Sequence, residues 1–290
     1  SLSRVFEEEI RKRRIPYRII GGIRFYDRAV VKDLIAYLKV VSNPNNSIAL
    51  QRIINVPARG IGDRTVQKVL EIGREKNMTF YQALKNVKDE KLLPASALGK
   101  ITEFLLAVRS WREELGQMKP YDLLRRILDD TDYIKELGDP HNLEVIADKE
   151  NILEFQSALQ DYFERSPEAT LEDYFESLAL MAPVDELQGT GDTLSLMTIH
   201  CAKGLEFDTV FVVGMEDPIF PSKRTIEDTG SMEEERRLFY VAMTRAKNRV
   251  FLSRADTRMF HGARNWNTPS IFLHELGREF LIPWDARKLL

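Results

Sequence analysis

The stretch TLSLMTIHCAKGLEFDTVFVVGM, residues 193–215, sets two β-rich runs on either side of a polar corner. TLSLMTI (193–199) is rich in strand formers, and TVFVVGM (209–215) is almost continuously apolar. Short apolar runs of this kind are expected of strands covered on both faces, as in parallel sheets. Two further runs fit. YRII (17–20) follows a charged helical stretch at 3–14 and is closed by Gly21-Gly22, and RVFLSRA (249–255) directly follows a helical stretch. The alternation predicts an α/β domain built on a parallel sheet.

Between these runs, residues 28–180 read almost entirely as helices. VVKDLIAYLKVV places Val31, Leu34, Ile35 and Leu38 on one stripe, the spacing of an amphipathic helix. SALGKITEFLLAVRSWREEL, PYDLLRRILDDTDYIKEL and NILEFQSALQDYFERS repeat the pattern. Breaks fall at SNPNNS, LPAS, LGDPHN and SPEAT, where Pro, Gly, Asn and Ser cluster. LQGTGD (187–192) has the composition of a return linker. The expected organisation is an all-α domain (21–190) inserted into an α/β domain (1–20 and 191–290).

Composition narrows the class. The chain has 290 residues, 43% hydrophobic and 30% charged, with a single cysteine, Cys201. One cysteine excludes an internal disulfide and fits a reducing, cytoplasmic setting. No apolar run approaches the ~18 residues of a membrane helix, and SLSRVFEEEIRKRR is too charged for a secretory signal. Net charge is only −3, but residues 1–70 carry +8, residues 71–190 carry −11 and the remainder balances. The basic first quarter fits either a local anionic contact or a solvated helical surface.

Within TIHCAKGLEF (198–207), His200 beside Cys201 invites a nucleophile–base reading. Neighbouring side chains leaving a strand point to opposite faces, and no G-x-S-x-G or papain-like signature occurs, so the pair is poorly placed for nucleophilic catalysis. His141, His200, His261 and His274 lack ligand spacing, so no metal site is expected. A strand ending at Ile199 would instead place His200, Lys203 and Glu206 at its carboxyl end, where α/β sheets bind ligands. In EEERRLFYVAMTRAKNRV (233–250), Leu238, Val241 and Ala242 form a helical stripe on which Arg245 also falls. A guanidinium there needs an anion, either a ligand or an internal carboxylate. In NVPARGIGDRTVQKV (55–69), Gly60-Ile61-Gly62 makes a turn before a helix start near Asp63. Two glycines and a helix N-terminus would let a phosphate approach the backbone, with Arg59, Arg64 and Lys68 adding charge. An ordinary interhelical corner would use the same residues. No G-x-x-x-x-G-K-[ST] motif occurs; Gly99-Lys100 is followed by Ile101.

Taken together, PYRIIGGIRFYDRAVVKDLIAYL (16–38), LSLMTIHCAKGLEFDTVFVVGMEDPIFP (194–221) and EEERRLFYVAMTRAKNRV resemble the C-terminal half of UvrD/Rep/PcrA-type superfamily 1 DNA helicases. The last two resemble helicase motifs V and VI, and the resemblance covers essentially the whole chain. It implies a partial RecA-like domain (2A, residues 1–20 and 191–290) carrying an inserted helical domain (2B, 21–190). It also implies that the chain is a fragment whose N-terminal RecA-like domain, with the Walker motifs, lies elsewhere. Arg245 would be the arginine finger on the γ-phosphate of ATP. Glu206 would bind the ribose, with Lys203 and Gly204 shaping that corner. Thr198 and His200 would touch the single strand, and Lys32 with Gly60, Ile61, Gly62, Arg64 and Thr65 would hold duplex DNA at a fork or junction. ATP and Mg²⁺ would serve the full-length enzyme in 3′→5′ translocation, with none bound to this fragment. The insert would rotate near Gly21-Gly22 and Gly189–Gly191, and repair or replication proteins are further possible partners. Cys201 stands where the family commonly has a small residue such as serine. The competing reading is a DNA-binding or protein-interaction module without motor activity.

Overall fold

In the computed structural model the described residues are 2–180, 193–222, 225–226, 231–260 and 263–283. They fall into two compact units. One comprises Ser3–Arg13 and residues 23–186; the other comprises Arg14–Gly22 and residues 187–290. The expected return linker at 187–192 lies outside the described residues.

The helical unit is organised around α2 (Ala29–Ser42). Val31, Leu34, Tyr37, Leu38 and Val40 are fully buried, and Val30, Ala36 and Val41 nearly so. A helix apolar on nearly every side belongs at the centre of its unit. The stripe read from sequence was therefore too narrow. Around α2 stand α3 (Ser47–Ile53), α4 (Asp63–Glu75), α5 (Phe80–Asp89), α6 (Ala95–Glu114), α7 (Pro120–Asp130), α8 (Tyr133–Glu136), α9 (Leu143–Arg165) and α10 (Leu171–Leu180). The helix ends follow local chemistry. Asn46 caps α3 through the Ala49 amide, Thr79 and Gln82 form a capping box on α5, and Asn142 caps α9. One charge is enclosed with α2: the Asp33 carboxylate accepts from Tyr133 Oη at 2.8 Å and pairs with Arg52 Nε at 2.6 Å.

Helix α1 (Ser3–Lys12) groups with this unit, whereas the sequence reading put it in the α/β domain. Ionic ties explain the placement. Buried Arg4 donates to Glu154 at 2.5 Å, the Glu7 carboxylate accepts the Phe25 amide at 3.2 and 3.3 Å, and Tyr26 donates to Glu8 at 2.6 Å. The boundary near Gly22 coincides with the end of the first strand.

The second unit is mixed α/β. Strands β1 (Tyr17–Ile20) and β2 (Leu194–Met197) pair in parallel, Tyr17 opposite Leu194. Strands β3 (Phe207–Val213) and β5 (Ala246–Ser253) form a second parallel pair, Val210 opposite Val250. Strand β4 (Glu216–Asp217) pairs antiparallel with β8 (Thr268–Pro269), and β6 (Thr257–Phe260) with β7 (Ala263–Trp266). The parallel pairing matches expectation, but it comes as two-stranded ladders rather than one covered sheet. Helices α11 (Met232–Met243) and α12 (Ile271–Glu275) supply Phe239, Ala242 and Phe272, which pack with Val212 and Met215. On the other face Phe211 stacks on Phe251 with ring centres 4.7 Å apart and stays 57% exposed. Among the described residues, no helix is long and apolar enough to cross a membrane.

If α2 is the centre of the helical unit, Leu34→Ala should cost roughly 2–5 kcal/mol. Ile48→Ala, at an 85% exposed position, should stay within about 0.5 kcal/mol. Urea denaturation of the two variants measures the difference.

Candidate nucleotide corner and nucleic-acid hairpin

In the α/β unit, β2 ends at Met197, two residues earlier than expected, and the chain enters a single helical turn. Ala202 donates to Thr198 O at 3.1 Å, Lys203 to His200 O at 3.3 Å and Leu205 to Ala202 O at 3.0 Å. Gly204 closes the turn at φ +86°, a conformation that glycine adopts at no steric cost. Thr198, His200, Lys203 and Glu206 are all exposed. Thr198 Oγ1 accepts the Cys201 amide at 3.3 Å, which leaves its own proton free to donate outward. Cys201 Sγ faces Gly21 O at 3.9 Å, so the thiol packs against the end of β1 and is not aligned with His200.

Arg245 follows α11 instead of riding on it, because the helix ends at Met243. Its guanidinium spans two chain segments. Nε donates to Val241 O at 3.0 Å, one terminal nitrogen to Leu205 O at 3.1 Å and the other to Thr244 Oγ1 at 3.0 Å. The Phe207 amide donates back to Arg245 O at 2.9 Å. Among the described residues Arg245 makes no ion pair, so the internal-carboxylate alternative does not hold there. A cation beside the last carbonyls of a helix is favourable on its own. The Glu206 carboxylate has one distant partner, Lys247 Nζ at 3.8 Å. Thus Lys203, Gly204, Glu206 and Arg245 share one corner. Thr198, His200 and Lys203 follow the carboxyl end of β2 on one turn; Glu206 and Arg245 immediately precede the amino ends of β3 and β5.

In the helical unit, the Gly60-Ile61-Gly62 turn is held from below. Asn55 Oδ1 accepts the amides of Arg59 at 2.8 Å and Ile61 at 3.1 Å. The Arg59 guanidinium turns inward to the carbonyls of Ile53 at 2.8 Å, Val56 at 3.1 Å and Pro57 at 3.3 Å. It also donates to Tyr37 Oη and lies over the Phe104 ring at 5.1 Å. Burial pushes the Tyr37 phenol up, so it stays neutral, accepting from Arg59 while donating to Val56 O. Arg59 is therefore a structural cation, not an outward one. Ile61 is equally committed, with its side chain 1% exposed and its amide taken by Asn55. Neither Asn55 nor the inward aim of Arg59 carried a signal in sequence.

The outward parts are fewer. Gly60 has φ +68° and lies exposed. Gly62 has φ −74° and open space around it, so its backbone does not demand glycine. No side chain caps α4, but Thr65 donates its amide to Gly62 O at 2.9 Å. Only the Thr65 hydroxyl remains to offer. Arg64 and Lys68 are exposed and make no ion pair among the described residues. Lys32 instead pairs with Asp27 at 2.9 Å. That ammonium, with Arg24 behind it, holds the Asp27 carboxyl below the usual carboxylate range. A surface pair of this kind is worth at most about 1 kcal/mol, so Lys32 is cheaply released.

The sequence profile of the UvrD-like helicase C-terminal domain matches residues 1–257. The chain belongs to that family. It is 38% identical over 296 residues to the ATP-dependent DNA helicase PcrA of Bacillus subtilis, covering 99% of this chain and 39% of the relative. It is 40% identical over 290 residues to PcrA of Staphylococcus epidermidis, covering 99% of this chain and 40% of that protein. It is 39% identical over 283 residues to PcrA of Staphylococcus aureus. The chain thus spans about two fifths of the length of the curated relatives it matches. In this UvrD-like domain, no group of three or more His, Cys, Asp or Glu side chains is placed to hold a metal ion among the described residues.

The two glycines should separate in a stability measurement. Gly60→Ala should cost about 1–2 kcal/mol for a left-handed non-glycine residue, and Gly62→Ala less than about 0.5 kcal/mol. Equal losses in urea denaturation would contradict the assignment.

Proposed function

We propose that this chain is the C-terminal part of an ATP-dependent 3′→5′ DNA helicase, joining a RecA-like 2A domain to a duplex-holding 2B insert. The observation that carries the reading is the hydrogen bond from Arg245 to Leu205 O, which puts the guanidinium and Glu206 on one corner. The PcrA relatives, matched over nearly the whole chain, favour the motor over a stand-alone binding module.

The donor set fits one edge of a nucleotide. Glu206, with only a distant cation near it, offers two acceptor oxygens to ribose hydroxyls. Arg245 is held by three neutral acceptors and can exchange them for an anion, where its hydrogen bonds are about twice as strong. Its role is to stabilise charge on the γ-phosphoryl group during transfer, and Lys203 adds positive charge beside it. ATP supplies the driving chemistry when bound. Mg²⁺ would enter with ATP, and no cluster of three or more His, Cys, Asp or Glu side chains placed to hold it lies among the described residues. Thr198 and His200, outward on the same turn, donate to the single-strand backbone. Gly60, Arg64, the Thr65 hydroxyl and Lys32 meet duplex phosphates, contacts that position without reading sequence. Ile61 serves that surface as its anchor, not as a contact.

Two measurements test this. The chain alone should show background ATPase with and without single-stranded DNA; turnover abolished by Arg245→Ala would overturn the division of labour. In the full-length protein, Arg245→Ala should leave ATP affinity within a few-fold and lower kcat by ~10³ or more. An unchanged kcat would reduce Arg245 to a helix-end clamp.

A further inference from the structure

We infer that Lys100 of α6 is a phosphate-contacting residue of the hairpin, contributed from a helix forty positions away in the chain. The inference rests on the duplex reading proposed above and adds a residue to it. Lys100 Nζ donates to Gly60 O at 3.4 Å. A Cβ placed on Gly60 would lie 2.2 Å from that nitrogen, so the ammonium sits directly over the turn. A lysine carries three protons. One is used on Gly60 O, and the others remain for a second acceptor at the same exposed surface.

Charge supports the same conclusion. Residues 71–190 carry a net −11, and cations there such as Lys76, Arg109 and Arg126 do meet carboxylates. Lys100, like Arg64 and Lys68, makes no ion pair among the described residues. Lys32 and Arg52, by contrast, are matched by Asp27 and Asp33. Gly60, which Lys100 contacts, lies two residues before the uncapped N-cap of α4, and Arg64 lies in the first turn of that helix. The one acidic residue in that turn, Asp63, is outnumbered by Arg64, Lys68 and Lys100. Unpaired cations around a turn that exposes backbone suit the phosphodiester of a duplex, whose charges repeat along each strand.

The test is fluorescence anisotropy of two unrelated DNA hairpin duplexes with the whole chain at several salt concentrations. The variants are Lys100→Gln, Lys100→Arg and Arg64→Ala. Amide exchange at Ile61, whose N–H is held by Asn55, reports whether the hairpin is intact. Lys100→Gln should weaken both duplexes about equally and lower the slope of log K against log salt by about 0.9, one phosphate's worth. Lys100→Arg should keep the slope, and Ile61 exchange should not change in either. An unaltered slope in Lys100→Gln, with a lowered slope in Arg64→Ala, would leave Lys100 as a tie to Gly60 and overturn the inference. Faster Ile61 exchange in Lys100→Gln, without rescue by Lys100→Arg, would overturn it as well. If neither Lys100→Gln nor Arg64→Ala alters the slope, the duplex reading of the hairpin fails, and the inference with it.

Discussion

The Arg59 guanidinium gathers the carbonyls at the turn between α3 and α4, where Ile53 O also accepts the Val56 amide and Val56 O the Tyr37 hydroxyl. A buried carbonyl without a donor costs about as much as a lost hydrogen bond. One terminal nitrogen of that cation is shared among Ile53, Val56 and Pro57, and the other donates to Tyr37 Oη. Tyr37 from α2 and Phe104 from α6 close around it. The central helix, the turn and α6 are thereby fastened at one point. Everything the hairpin presents outward depends on that fastening: the left-handed Gly60, the open start of α4 and the ammonium of Lys100.

The α/β unit uses the same device. Arg245 satisfies the end of α11 through Val241 O and reaches across to Leu205 O. In both places an arginine binds carbonyls rather than carboxylates. The consequences differ because the surroundings differ. Arg59 is half-buried, with its guanidinium turned to carbonyls, Tyr37 and Phe104. Arg245 stands beside the exposed Glu206 and Lys203, where an anion can compete for its donors. A cation held only by neutral partners is well placed to be captured by a phosphoryl group, since the exchange strengthens its bonds without first breaking an ion pair.

Much of this was legible in sequence, for local reasons. Helix breaks at SNPNNS, LGDPHN and SPEAT coincide with helix ends because Asn, Gly and Pro chemistry acts over a few residues. The runs read at 17–20, 193–199, 209–215 and 249–255 overlap the strands at Tyr17–Ile20, Leu194–Met197, Phe207–Val213 and Ala246–Ser253, with ends shifted by up to three residues. What escaped depends on contacts between distant positions. Arg59 looked like a surface cation because Tyr37 and Phe104 lie 22 and 45 positions away in the sequence. Helix α1 looked like part of the α/β domain because its tie to Glu154 spans 150 positions. Arg245 looked helical because periodicity does not mark where α11 stops. Ile61 looked like part of the nucleic-acid surface because a glycine-flanked residue gives no sign of which way it points.

The central claim is that the hairpin is built from within by Arg59 and read from outside by other cations. The most direct measurement is the Arg59→Met variant, followed by both urea denaturation and duplex binding across a range of salt. Stability should fall by roughly 1–3 kcal/mol, since Pro57 O loses its donor and Tyr37 and Phe104 lose the cation packed between them. Under conditions where the variant remains folded, its salt slope for duplex binding should match that of the wild type. Wild-type stability with a slope lowered by about 1 would show that Arg59 faces the phosphates, and would contradict the account.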